Sequence, residues 1–169
     1  VVGGVMFDIY PDFQKDVKAF IPYMREKLVE YDRFFSHNAI ALGRMKKVGN
    51  LSKEDAISYG VTGPAGRGSG WSCDVRKHKP YSLYSQVEFK EIIRTTGDSY
   101  SRYLNRLDEI EEALHIIEQL IDNIPDGDVC AKVKPIIRLP EGQFFQSVEA
   151  AKGEFGVFIE SRGDKNPYR

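Results

Sequence analysis

The sequence predicts an α+β fold, an antiparallel helical bundle followed by a small antiparallel β-sheet or hairpin near the C-terminus. Three observations predict it. Apolar residues recur every three or four positions in two long stretches before Gly127, and the periodicity shortens to two after it. The chain of 169 residues, 41% hydrophobic and 29% charged, is also long and apolar enough to bury one core. The expected organisation is a helical part over 1–127 with a glycine-rich loop over 60–70, then a linker and β-hairpin part over 128–169. Together these form one incomplete domain.

The first helix is carried by Phe13, Val17, Phe20, Met24, Leu28, Tyr31 and Phe35, which share one helical face and are expected to be buried. Asp12 after Pro11 is the expected cap. Pro22 lacks the amide that would bond residue 18, so a kink or break is expected there. A second, short helix begins at Ser52, whose hydroxyl can cap it, with Glu54 and Asp55 favourable in its first turn. Gly60 can close it in the left-handed conformation. The third helix has the stripe Tyr103, Leu107, Ile110, Leu114, Ile117 and Ile121, a cap at Asp98 or Ser99, and Pro125 and Gly127 as stop signals.

Beyond Gly127, Val133, Ile136, Ile137 and Leu139 favour β-structure, but Pro135 and Pro140 reduce the stretch to a linker or an edge strand. Gln146–Ala150 and Phe155–Glu160 then read as two strands around Lys152 and Gly153. A turn at Arg162, Gly163 and Asp164 leads to Pro167, after which another strand is expected to start.

Charge and cysteine content exclude several functions. Lys and Arg number 24 against 25 Asp and Glu, a net charge of -1, so no global field favours nucleic acid or an anionic membrane. No apolar run is long enough to span a bilayer. Cys73 and Cys130 form no paired motif; one disulfide is possible, but scattered thiols point rather to a reducing compartment. His37, His78 and His115 have no metal-ligand spacing, so no metal site is expected. Asp108, Glu109, Glu111 and Glu112 are expected to be solvated, His115 to lie at a surface or boundary, and Glu149 and Glu154 to be outward strand residues or a carboxylate pair. No grouping indicates a nucleophile and base, and no catalytic residue is assigned.

The most unusual segment runs from Tyr59 to Gly70, with five glycines around Arg67. Such a backbone can approach another surface closely. It lacks the lysine and hydroxyl of a phosphate-cradling loop, and composition alone favours a tight surface loop. The basic run Arg76 to Lys79 reads as a solvated turn without accompanying aromatic stacking.

Several of these segments resemble one family in order along the chain. They are Ser52 to Pro64, Arg67 to Gly70, Asp74 to Lys77 with Pro80 and Tyr81, and Gly97 to Arg106. All are similar to the hydrogenase-related subunit of respiratory complex I, the NADH:quinone oxidoreductase. Val148 to Val157 resembles that family's hairpin, Pro167 to Arg169 its next strand, and Val2 to Val5 a stretch from the middle of its members. Three departures concern local packing. Cys73 stands where members usually carry tryptophan, with Trp71 two positions earlier; Ala151 replaces a proline; and the stretch from Val133 to Gln146 is shorter than in many members.

The resemblance implies a fold like the nickel-iron hydrogenase large subunit. It also implies a place in the quinone-reducing peripheral arm, on the cytoplasmic side of a bacterial inner membrane. Its partners would be the other complex I subunits, above all the neighbour whose cysteines ligate the terminal iron–sulfur cluster. Quinone is the substrate of the parent subunit, but no residue here matches the family's quinone-binding positions, and no cofactor is assigned to this chain. A start at Val1 and an end at Arg169 carry the expectation of an internal fragment, inactive alone and prone to non-physiological self-association. Arg67, Gly68, Ser69, Gly70, Asp74, Arg76 and Lys77 are the candidate scaffold or interface residues. Two alternatives are an energy-converting nickel-iron hydrogenase large subunit and a non-catalytic interaction module.

Overall fold

The computed structural model describes residues 2–169. Its elements are α1 (Phe13–Tyr31), a π-helical turn (Asp32–Ser36), α2 (Ala39–Met45), α3 (Lys53–Ser58), α4 (Gly63–Arg67), α5 (Val75–His78), α6 (Ser99–Leu120), β1 (Gly142–Ala150) and β2 (Gly153–Ser161). The fold is α+β, with the two strands paired antiparallel. Among the described residues no helix is long and apolar enough to cross a membrane.

The two long helices run antiparallel, and their side-chain pairs read out the direction. Lys18 meets Asp122, Arg25 meets Glu118 at 2.7 Å and Glu111 at 2.8 Å, and Ser36 meets the Tyr103 hydroxyl at 3.0 Å. Ascending positions on α1 thus face descending positions on α6. Pro22 does not break α1, which is continuous through it. One missing amide removes a single bond, the ring stands exposed, and Ile21 and Arg25 beside it anchor the helix to its surroundings. Asp12 occupies the cap position, but its backbone is not extended and its side chain accepts no amide. The expected apolar face is also only partly covered: Phe20, Tyr31 and Phe35 are exposed, and Ile21 is the buried residue of α1.

Side-chain caps account for the starts of α2, α3, α5 and α6, whereas α4 begins without one, with Pro64 in its first turn. Ser52 Oγ accepts the Asp55 amide at 3.0 Å. At the other end of α3, Gly60 has φ +64°, and the Val61 amide returns to the Ala56 carbonyl at 2.8 Å, closing the helix as a left-handed cap. Asp98, rather than Ser99, caps α6 by accepting the Ser101 amide at 2.8 Å. That helix ends at Leu120, before Pro125, and its buried face uses Ile116 in place of the exposed Ile117.

The hairpin is longer than its sequence pattern indicates. Its register pairs Gly142 with Ser161, Phe145 with Phe158 and Glu149 with Glu154. The stretch from Val133 to Leu139 is irregular, as a linker. Glu160 bonds through its backbone to the end of the chain, its amide donating to the Arg169 carbonyl and its carbonyl accepting the Tyr168 amide, both at 2.8 Å, yet no regular strand forms there. The turn end of the hairpin rests on α4 and α5, while Phe144, Phe145, Phe155, Val157 and Phe158 along the strands are exposed.

Candidate functional site

The glycine-rich segment is not a surface loop. Gly63, Pro64, Gly66, Arg67, Gly68 and Ser69 are all buried, and α4 forms one helical turn within it. Composition reads small residues as solvent-facing, whereas here they let two pieces of backbone meet. Gly63, at φ +69°, lies against Gly153 at the hairpin turn so closely that a Cβ would overlap the opposing backbone. From that contact α4 turns the Arg67 side chain inward, where it is 1% exposed.

Arg67 bridges three parts of the chain. Nε donates to Glu109 Oε1 on α6 at 2.8 Å, and Nη1 donates to Glu149 Oε1 on β1 at 2.8 Å. Nη1 also lies 4.0 Å from Asp74 Oδ2, just before α5. The carboxylates are themselves fixed. Asn105 Nδ2 donates to Glu109 at 2.7 Å, the Val75 amide donates to Glu149 Oε2 at 3.2 Å, and the Glu149 amide donates to the Tyr81 hydroxyl at 3.1 Å. Burial opposes the charge on Arg67, but its bonds to Glu109 and Glu149 outweigh that penalty and raise its pKa. It therefore stays a guanidinium.

Asp74 and Arg76 form a second, forked pair. Arg76 donates to Asp74 Oδ1 through Nε at 2.9 Å and to Oδ2 through Nη2 at 2.7 Å. Burial again works against ionisation of Asp74, yet the Arg76 bonds and the nearby Arg67 charge hold its pKa below the ordinary value. The Arg76 guanidinium lies 4.9 Å from the Phe89 ring centre and 5.7 Å from that of Tyr84, and Lys77 Nζ lies 3.8 Å from that of Phe89. Lys77, His78 and Lys79 are exposed, as the reading of a solvated turn expects, while Arg76 is half-buried against aromatic rings that the reading did not foresee. Tyr84 and Phe89, well removed in sequence from Arg76, supply the rings.

Gly68 and Ser69 join the start of α6 to α4. The Gly68 carbonyl accepts Ser101 Oγ at 2.7 Å and the Gly97 amide at 3.0 Å, while Ser69 Oγ donates to the Ala65 carbonyl at 3.2 Å. Gly70 ends the turn at φ +89°. Of the seven candidate residues, Arg67, Gly68, Ser69 and Asp74 are buried in this junction. Gly70 and Arg76 are half-buried, and Lys77 stands at the exposed edge.

Sequence reasoning missed the acidic half of the cluster. The four carboxylates assigned to solvent all have partners: Arg94 for Asp108, Arg67 for Glu109, Arg25 for Glu111 and the Lys90 amide for Glu112. Glu149 and Glu154 are cross-strand neighbours, but they do not form a site together, because Glu149 turns to Arg67. Glu91 went unnoticed as well; it accepts the Cys73 and Asp74 amides at 2.8 and 3.0 Å. The signal available was Arg67 itself, since a guanidinium among small residues needs carboxylates from elsewhere.

Cys73 is buried beside Trp71, both ranged against Gly66. Burial pushes its thiol up to about 11, and the two cysteines are free. Two thiols cannot supply the four ligands of an iron–sulfur cluster, so the residues of this chain do not fit one.

Comparison with known proteins places this architecture. A chain in the structure of the membrane-bound sulfane sulfur reductase, an archaeal respiratory membrane complex, superposes with a TM-score of 0.89 at 37% identity, covering 99% of this chain and 47% of that one. The fold is therefore one that occurs in respiratory membrane complexes. The family described as respiratory-chain NADH dehydrogenase, 49 Kd subunit, matches residues 1–138 and 132–169, and the chain belongs to that family. An NADH-quinone oxidoreductase subunit of Bacteroides fragilis is 59% identical over 168 residues, covering 99% of this chain and 32% of that protein. An NADH-quinone oxidoreductase subunit of Desulfotalea psychrophila is 45% identical over 168 residues, again 99% of this chain and 45% of that protein. The chain thus spans between a third and a half of the curated relatives it matches. These matches do not favour the hydrogenase alternative.

Proposed function

We propose that this chain is the scaffold portion of the quinone-reducing subunit of an NADH:quinone oxidoreductase. Electrons from NADH reach quinone in such a complex through iron–sulfur clusters, coupled to proton translocation. The observation that carries this reading is the family match along the whole chain. Quinone reduction needs a proton donor at the carbonyl oxygens and an electron donor within tunnelling reach. The groups singled out here do neither: the central carboxylates are held by guanidinium and amide groups, and the buried thiol stays protonated.

In this reading Arg67, Gly68, Ser69, Gly70, Asp74, Arg76 and Lys77 are scaffold or interface residues, with Arg67 tying the hairpin to the long helix. The terminal cluster belongs to a neighbouring iron–sulfur subunit. The assembly sits peripherally on the cytoplasmic face of a bacterial inner membrane, and the isolated chain is inactive.

The test is an Arg67→Ala exchange in the intact complex, followed by assembly and NADH:quinone reductase assays. Loss of assembly or turnover is expected, and normal values for both would overturn the scaffold role. Titration of a short-chain quinone into the purified chain, followed by Trp71 fluorescence, should give no saturable response.

A further inference from the structure

We draw no further inference here: the strongest candidate, the basic cleft at the open end of the hairpin lined by Arg138, Arg162, Lys165 and Tyr168, is built from exposed side chains of a chain that spans a third to a half of its relatives, and nothing in the structure shows what covers it.

Discussion

Arg67 and Glu149 lie 82 residues apart in the chain and meet at 2.8 Å, with their side chains only 2% and 5% exposed. Glu109 takes the Nε side of the same guanidinium. One cation therefore ties a glycine-rich turn, a long helix and a hairpin, which no short-range preference brings together.

Removing that cation should be severe. Arg67→Met leaves the enclosed Glu149 and the part-buried Glu109 without their cation and is expected to cost about 3–5 kcal/mol, the range for breaking a buried ion pair. Urea unfolding of the chain measures it. Arg67→Lys should rescue only part, because an ammonium cannot reproduce the fork that reaches two carboxylates.

Neighbouring acids on α6 should respond unequally. Glu109→Gln removes a charge from the enclosed cluster, where its side chain is 18% exposed, and should cost about 1–3 kcal/mol. Glu111→Gln, at a half-exposed pair with Arg25, should cost no more than about 1 kcal/mol. Equal losses in thermal unfolding would contradict the geometry.

The acid limb of stability should carry the mark of Asp74. Its pKa in the folded chain lies below the ordinary value of 3.8, so the unfolded chain takes up its proton first as pH falls. Its contribution is complete above that value and is lost as pH drops through the lower, folded pKa. Asp74→Asn should therefore destabilise the chain at pH 7 and flatten the profile below about pH 4. A profile unchanged below that pH would contradict this.

The thiols should separate in reactivity. With its pKa at about 11, Cys73 is thiolate to roughly one part in a thousand at pH 8, and it is buried as well. Iodoacetamide at that pH should label Cys130 and leave Cys73 untouched until denaturant is added. Mass spectrometry of the labelled peptides gives the answer directly.

Gly63 should tolerate no side chain. Gly63→Ala meets both a positive φ and the Gly153 backbone, and is expected to cost about 2 kcal/mol or more. Gly60→Ala, which meets no atom within 4 Å, bears only the strain of its positive φ and should cost about 1 kcal/mol. Chemical denaturation of the two variants side by side distinguishes a crowded contact from a merely strained turn.

Much of the helical skeleton was legible in the sequence because its signals are local. Ser52, Gly60 and Asp98 act within a few residues, and each does what its type and position predict. The hairpin was legible for the same reason, since alternation and turn chemistry are short-range. Burial of the glycine turn was not, because it depends on Gly153 arriving from the far end of the chain. Nor were the partners of Asp108, Glu109, Glu111 and Glu112, for a carboxylate beside other carboxylates looks the same whether solvent or a distant arginine faces it. At Pro22 the break did not occur: α1 runs on through it, held on either side by Ile21 in the core and by Arg25 on Glu111.

The cross-strand pairing of Glu149 with Glu154 gives Arg67 a further effect on how the chain folds. Slipping β1 by one residue turns every side chain to the opposite face, so Val148 or Ala150 would arrive where Glu149 now stands. The guanidinium would keep Glu109 but lose its second carboxylate, leaving Nη1 against a hydrocarbon group in a buried junction, which is costly. Arg67 thus acts as a checksum on strand alignment, since the native pairing is the one that brings Glu149 to its second donor.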